Sequence, residues 1–219
     1  RRTGSSRLCR LTIAIAVGLL AVSVAQARTA EVDLVVTGDE RMGDELKTLV
    51  QTLEKDQPLS GDGLSILQGA QAREAQVAAA LRSRGFYDAR VTATVSNHPI
   101  AEAAALDAIE AKPEADAVRF KFDVDTGPQY RIADVTIESP APTTGLPTID
   151  RSQLGLATGD PAAAEAILSA ESDIIAQLRR QGYALAAPER REVIVDHATR
   201  EVDVTYVVEA GPTAKMGPV

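Results

Sequence analysis

The 219-residue sequence has one cysteine, two histidines and no tryptophan, and its only aromatics are three Phe and four Tyr. The cysteine is Cys9, inside a basic and apolar leader, and none follows it. That excludes disulfide staples and thiol chemistry from the remainder of the chain. His98 and His197 sit apart, beside Pro99 and Asp196, and both read as exposed turn residues. No histidine cluster has metal-ligand spacing. There is no Gly-x-Ser-x-Gly elbow. The glycine-rich run Leu59–Ser65 lacks the Lys-Ser/Thr that a phosphate loop needs. Asp123 and Asp125 share the outward face of a strand and read as solvated charges. No catalytic residue, metal or cofactor is expected, and the chain is not read as an enzyme.

Acidic residues are missing from the first 27 positions, where four of the 23 basic residues lie. Residues 11–25 are a fifteen-residue apolar run, followed by Ala25-Gln26-Ala27. A basic start, an apolar run and a small-x-small ending make a secretory signal peptide, residues 1–27, cut between Ala27 and Arg28. An uncleaved anchor is the alternative, but the run is shorter than the roughly 20 residues that span a bilayer. Cleavage leaves 19 basic residues against 31 acidic ones, a net charge of −12. That charge repels nucleic-acid phosphates, so no nucleic-acid partner is expected.

What the sequence does have is a repeat. Residues 81–86, LRSRGF, match 178–183, LRRQGY, without a gap. Val118, Phe120, Phe122 and Val124 match Val202, Val204, Tyr206 and Val208 in the same way. Their period of two marks a strand with one buried face. Gly127-Pro128 and Gly211-Pro212 follow the two strands and stop them. Beyond them, Arg131, Ile132 and Val135 face Lys215, Met216 and Val219, so residues 214–219 read as the start of a truncated third module.

The repeat offset is 97 residues at the Gly-aromatic turn and 84 at the strand. The first copy therefore holds thirteen extra residues, placed within 98–117 as a hairpin insertion with a short Ala-rich helix. Apolar periodicity gives β-α-α-β-β in each copy. The first copy has a strand at 31–36, helices at about 41–55 and 69–84, and strands at 89–95 and 117–125. The second has a strand at 130–138, helices at 149–155 and 161–181, and strands at 189–196 and 200–208. Gly85 and Gly182 end the long helices, where a residue at positive φ is wanted. Phe86 and Tyr183 fold back as anchors. All seven aromatics fall in these repeated elements, and none is left for a stacking groove.

The stretches ALRSRGFYDARV, FDVDTGPQYRIADVTI, AQLRRQGYALAAP and VTYVVEAGPTAKMGPV resemble POTRA domains, the periplasmic polypeptide-transport-associated modules. Gly85-Phe86, Gly127-Pro128, Gly182-Tyr183 and Gly211-Pro212 carry the resemblance. It implies an α+β fold of tandem modules, each a three-stranded sheet with two helices on one face. Domain 1 spans 28–128 and domain 2 spans 129–213. The set is similar to the periplasmic region of TamA-like outer-membrane proteins of the BamA superfamily. That likeness implies a scaffold for assembling outer-membrane β-barrels and autotransporters, ahead of a C-terminal membrane barrel absent from this sequence. The implied partners are unfolded outer-membrane protein or autotransporter clients and an inner-membrane-anchored, TamB-like chain. The implied location is the periplasm, anchored to the outer membrane of a Gram-negative bacterium. Two alternatives stay open: the POTRA region of a two-partner secretion transporter, and a division-type POTRA protein with an uncleaved anchor.

An exposed sheet edge accepts another chain by strand addition. In the family the second strand of the module is the accepting edge. Here the candidates are Arg90, Val91, Ala93 and Val95 in the first module, and Arg191, Val193, Ile194 and Val195 in the second.

The leader reading has a direct check. N-terminal sequencing of the exported protein is expected to begin at Arg28; a mature chain beginning near Arg1 supports the uncleaved anchor instead.

Overall fold

The computed structural model describes residues 28–140 and 146–213. The leader with its cleavage position at Ala27, and the expected third-module start at 214–219, lie outside the described residues.

The first unit is built on β1 (Arg28–Thr37) and β5 (Val118–Asp125). These strands pair in parallel, from Ala30 against Val118 to Thr37 against Asp125. A parallel pair requires a long crossover, and the crossover contains the rest of the unit. α1 (Glu40–Asp56) starts where the Asp39 carboxylate accepts the Met42 amide at 2.9 Å. It then buries Met42, Leu46 and Val50 at helical spacing. α2 (Gly63–Ser83) starts six residues before the predicted Gly69, because Asp62 accepts the Ser65 amide at 2.7 Å. The Gly and Ser content of that stretch reads as loop, yet one well-placed cap is enough to begin the helix.

β3 (Arg90–Val95) returns antiparallel against β5 and completes the sheet, which has β5 in the middle. Two short strands extend it: β2 (Ser60–Gly61) on β1, and β4 (His98–Pro99) on β3. β4 follows a tight turn in which Ser96 and Asn97 both have positive φ, 49° and 68°. That is the twist a two-residue hairpin needs. The predicted Ala-rich helix of the insertion is α3 (Ala103–Glu110), held down by Ala105 and Ile109.

The second unit repeats the sheet. β6 (Arg131–Glu138) pairs in parallel with β8 (Glu201–Glu209), and β7 (Ala187–Asp196) pairs antiparallel with β8 on its other side. α4 (Ala164–Arg180) lies across one face. The helix predicted at 149–155 is instead a single 3-10 turn, Arg151–Gln153. Asp150 caps it, but Gly155 at φ 60° stops it. Too few residues remain between them to repay helix nucleation. Gln177, buried on α4, pins this segment. Its Nε2 donates to the Asp150 carbonyl at 2.9 Å, and its Oε1 accepts the Asp150 amide at 2.8 Å.

Each unit has its own core. In the first, Phe120 and Phe122 of β5 pack with Ile66, Ala93, Val95 and Ile109, while Leu46, Val77, Leu81 and Phe86 close the α1–α2 side. In the second, Val202, Val204, Tyr206 and Val208 pack under Ile167, Ile174 and Leu178. Burying each large apolar side chain contributes about 1.5–3 kcal/mol.

The repeated Gly-aromatic turn is the same cap twice. After α2, the Phe86 amide donates to the Leu81 carbonyl at 3.0 Å and the Gly85 amide to the Arg82 carbonyl at 3.0 Å. After α4, Tyr183 and Gly182 donate to Leu178 and Arg179, both at 3.1 Å. Gly85 sits at φ 87° and Gly182 at φ 98°, as this helix stop requires. Their surroundings differ. A Cβ on Gly85 would lie 3.0 Å from the Ala162 carbonyl oxygen of the second unit, whereas a Cβ on Gly182 would meet nothing within 4 Å among the described residues.

That contrast gives different expectations for two substitutions. Gly182→Val is expected to cost roughly 1–2 kcal/mol or more through backbone strain alone, shifting the second unit's thermal transition and sparing the first. Gly85→Ala is expected to cost about 1 kcal/mol by the same strain and also to loosen the contact with Ala162, read as faster hydrogen exchange at the Tyr130 amide. Equal effects on both units from Gly182→Val contradict the assignment.

Candidate strand-docking edge

With the third strand in the middle of each sheet, each unit has two edges. Every outward amide and carbonyl along an edge needs a partner or water. The edges are closed to very different degrees.

The β1 edge is occupied. The Ala30 amide donates to the Leu59 carbonyl at 2.9 Å, the Val32 amide donates to Glu54 Oε1 at 3.0 Å, and β2 covers Arg28 and Thr29. Glu54 is a half-buried carboxylate of α1 that no motif or spacing singles out. Buried Arg73 stands nearby, closing the C-terminal end of α1 by donating to the carbonyls of Leu53 at 3.1 Å and Gln57 at 2.8 Å. Burial lowers its guanidinium from the ordinary value, and Glu54 opposes that shift.

The β6 edge is occupied at its start. The Ile132 amide donates to the Asp160 carbonyl at 2.8 Å, and the Gly159 amide returns a bond to the Ile132 carbonyl at 2.7 Å.

The β3 edge is covered over its second half by the inserted segment. Thr94 faces Pro99, Val95 faces His98, and the Ile100 amide donates to the Ala93 carbonyl at 3.0 Å. Ala93 and Val95, two of the residues expected to accept a partner, therefore already have one. Arg90 and Val91 lie on the uncovered half, with Thr92 the last open residue, a length of about 10 Å. The insertion was legible in the sequence; its return along the strand edge was not.

β7 is ten residues long, and its outer edge carries no strand among the described residues. Among the described residues its only strand partner is β8. Arg191, Val193, Ile194 and Val195 all lie on it. Val193 is 38% exposed and Ile194 56%, unusual for branched apolar side chains in a strand.

The direction of each β7 amide follows from two facts. The Asp196 carbonyl accepts the Arg200 amide at 2.9 Å within the β7–β8 hairpin, so Asp196 faces β8. Alternation then turns Arg191, Val193 and Val195 outward and Glu192 and Ile194 inward. The repeat agrees: Ala93, whose carbonyl points away from β5, faces Phe122, and Arg191 faces the matching Tyr206.

The same three residues share the helix side of the sheet, since Val193 pairs with buried Val204 and Val195 with buried Val202. Between β7 and α4 runs a groove of about 500 Å³, lined by Glu171, Ile175, Ala176, Arg179 and Pro188 among others. Arg191 is ion-paired with Glu171 at one side of it. Arg179 donates to the Ala186 carbonyl at 3.2 Å. Under the strand, the Tyr206 hydroxyl donates to the Ile167 carbonyl at 2.8 Å, and burial pushes that phenol up to about 12. The groove is lined mainly by α4, and Pro188 is the one β7 residue in its lining. A chain added beside β7 would meet outward amides at alternate residues and drop every second side chain toward Ile175 and Ala176.

The remaining site expectations fall as follows. Gly85, Phe86, Gly182 and Tyr183 form the two helix caps. Gly127 and Gly211 have φ 61° and 68°, and with Pro128 and Pro212 they end β5 and β8. Arg28 opens β1. His98 is exposed on β4. His197 is an exposed turn residue as expected, 64% exposed at its side chain, and it also contacts Asp88 and Tyr130 across the boundary between the units. Among the described residues no group of three or more His, Cys, Asp or Glu could hold a metal ion, and no helix is long and apolar enough to cross a membrane.

No family model matches the chain, and no curated protein matches it. Among solved structures it is similar to POTRA3-5 of Haemophilus influenzae BamA, with a TM-score of 0.43 and 18% identity over 89% of this chain and 70% of that one. It is similar to POTRA1-2 of the periplasmic domain of Omp85 from Anabaena, with a TM-score of 0.43 and 18% identity over 86% of this chain and 98% of that one. It is also similar to CdiB from Escherichia coli, with a TM-score of 0.38 and 15% identity over 86% of this chain and 28% of that one.

Proposed function

We propose that this chain is the periplasmic region of an outer-membrane β-barrel assembly or translocation factor, and that it holds client chains by strand addition on β7. The observation that carries the reading is the edge itself. Of the four sheet edges, three are partly or largely closed by the chain's own groups, and β7 is left open beside a groove with an apolar floor.

Main-chain hydrogen bonds supply affinity in such a complex, and pockets for alternate side chains supply selectivity. A client segment of alternating apolar and polar residues suits this edge: apolar side chains fall into the α4–β7 groove, and polar ones face water. Unfolded outer-membrane barrel or autotransporter strands have that pattern. The charged residues Glu189, Arg190, Arg191 and Glu192 discourage indiscriminate pairing of bare edges. The resemblance to TamA-like proteins makes an inner-membrane-anchored, TamB-like chain the second partner in this reading. The two modules are the binding platform, domain 1 over 28–128 and domain 2 over 129–213, and no chemistry is assigned to them.

Proline scanning tests the reading. Val193→Pro removes an outward donor and leaves the β7–β8 ladder intact. It is expected to fold normally by circular dichroism and to weaken crosslinking to barrel-derived strand peptides about five- to tenfold, the value of a lost hydrogen bond plus the ring's obstruction. Ile194→Pro removes an inward donor and is expected to destabilise the second unit itself. Charge reversal at Arg190 is expected to change binding by no more than about threefold, and less at high salt. Full crosslinking by folded Val193→Pro rejects β7 and turns attention to Arg90–Thr92.

A further inference from the structure

The two units meet at the Gly85 turn. The Tyr130 amide donates to the Gly85 carbonyl at 2.8 Å, and the Ala162 amide donates to the Tyr130 carbonyl at 2.9 Å. Gln129 Nε2 donates to the Arg84 carbonyl at 2.9 Å, and the Tyr87 hydroxyl to the Ala162 carbonyl at 3.3 Å. The rings of Tyr87, Tyr130 and His197 follow one another edge to face, with centroids 5.4 and 5.8 Å apart. Tyr130 is fully buried, and that burial, reinforced by the Asp88 carboxylate, pushes its phenol up to about 12. It is therefore a neutral donor at any working pH.

One titratable ring stands at the rim of this contact. His197 Nδ1 lies 2.9 Å from Asp88 Oδ1 of the first unit and 3.0 Å from the Tyr130 hydroxyl. The other charged groups around the ring are Asp196 and Arg200, both on its own hairpin. Asp196 already accepts the amides of Ala198 and Thr199, at 2.7 and 3.3 Å. The Tyr130 hydroxyl and then the His197 ring hold the Asp88 carboxyl below its usual value, with a smaller contribution from the charge of Arg200.

We propose that Asp88, His197 and Tyr130 form a proton-operated latch between the two units, closing more firmly when His197 is an imidazolium. A neutral imidazole has one N–H, and it can carry that proton on Nε2, leaving an Nδ1 lone pair against the carboxylate. The imidazolium always presents Nδ1–H to Asp88 and adds a charge of the right sign. The latch is firmest when the ring is charged and weaker when the ring is neutral. It weakens again in stronger acid, when Asp88 takes up a proton, and the lowering of Asp88 moves that loss below the ordinary carboxylate range.

The device belongs to this joint and not to the turn as such. The position matching Asp88 in the second unit is Leu185. It packs against Gly211 as Asp88 packs against Gly127, but it is 71% exposed and carries no charge.

The test is hydrogen exchange, corrected for intrinsic rate, at the amides of Tyr130 and Ala162 in the whole chain from about pH 8 to about pH 5.5. Protection at both amides is expected to rise about two- to fivefold toward pH 5.5, the range an exposed ion pair gives. Core amides of β5 and β8 are expected not to follow. His197→Gln and Asp88→Asn, each checked for native spectra, are expected to flatten the rise, and about 1 M salt to reduce it. A flat wild-type profile, an equal rise in the core amides, or a rise that survives in both variants overturns the latch.

Discussion

The parallel pairing of a unit's first strand with its last fixes everything that follows. β1 on β5, and β6 on β8, put the final strand in the middle of the sheet and send the rest of the unit over as a crossover. The helices cover one face, and the first and second strands become edges. A sheet of three strands must satisfy or hydrate two rows of backbone groups. Among the described residues, several long-range polar contacts do that: Glu54 on Val32, Leu59 on Ala30, Asp160 on Ile132, Ile100 on Ala93. β7 has the longest edge left without such a partner among the described residues, and the proposed function rests on that edge.

The two copies divide the work. The first spends its extra segment on covering β3 and uses its Gly85 turn to hold the second unit. The second lacks the insertion, and among the described residues β8 is the only strand paired with its β7. Local changes distinguish the two copies: an insertion at a hairpin, and Asp88 against Leu185 at one turn position.

Much of the fold is legible in the sequence, for local reasons. The alternation of Val118, Phe120, Phe122 and Val124 has one meaning on a half-buried strand, and Gly before an aromatic after a long helix has one on a helix stop. The parts that were not legible depend on distant partners. Gln177 is one more polar residue on a helix until the Asp150 backbone is placed beside it. The loss of a helix at 149–155 needs Gly155 at positive φ as well as the apolar spacing. β7 could be singled out by its position in the repeat, but its advantage over β3 came only from seeing where Ile100 lands. His197 read only as an exposed turn residue because its partner, Asp88, is 109 residues away.

The central claim is that clients bind as an added strand on β7, and amide exchange in the presence of a barrel-derived strand peptide tests it most directly. The account predicts new protection at Arg191, Val193 and Val195 in alternation, with Glu192 and Ile194 unchanged because they already bond β8. Protection at consecutive residues, or confined to Arg90–Thr92, or absent from both edges while the peptide is bound, would contradict it.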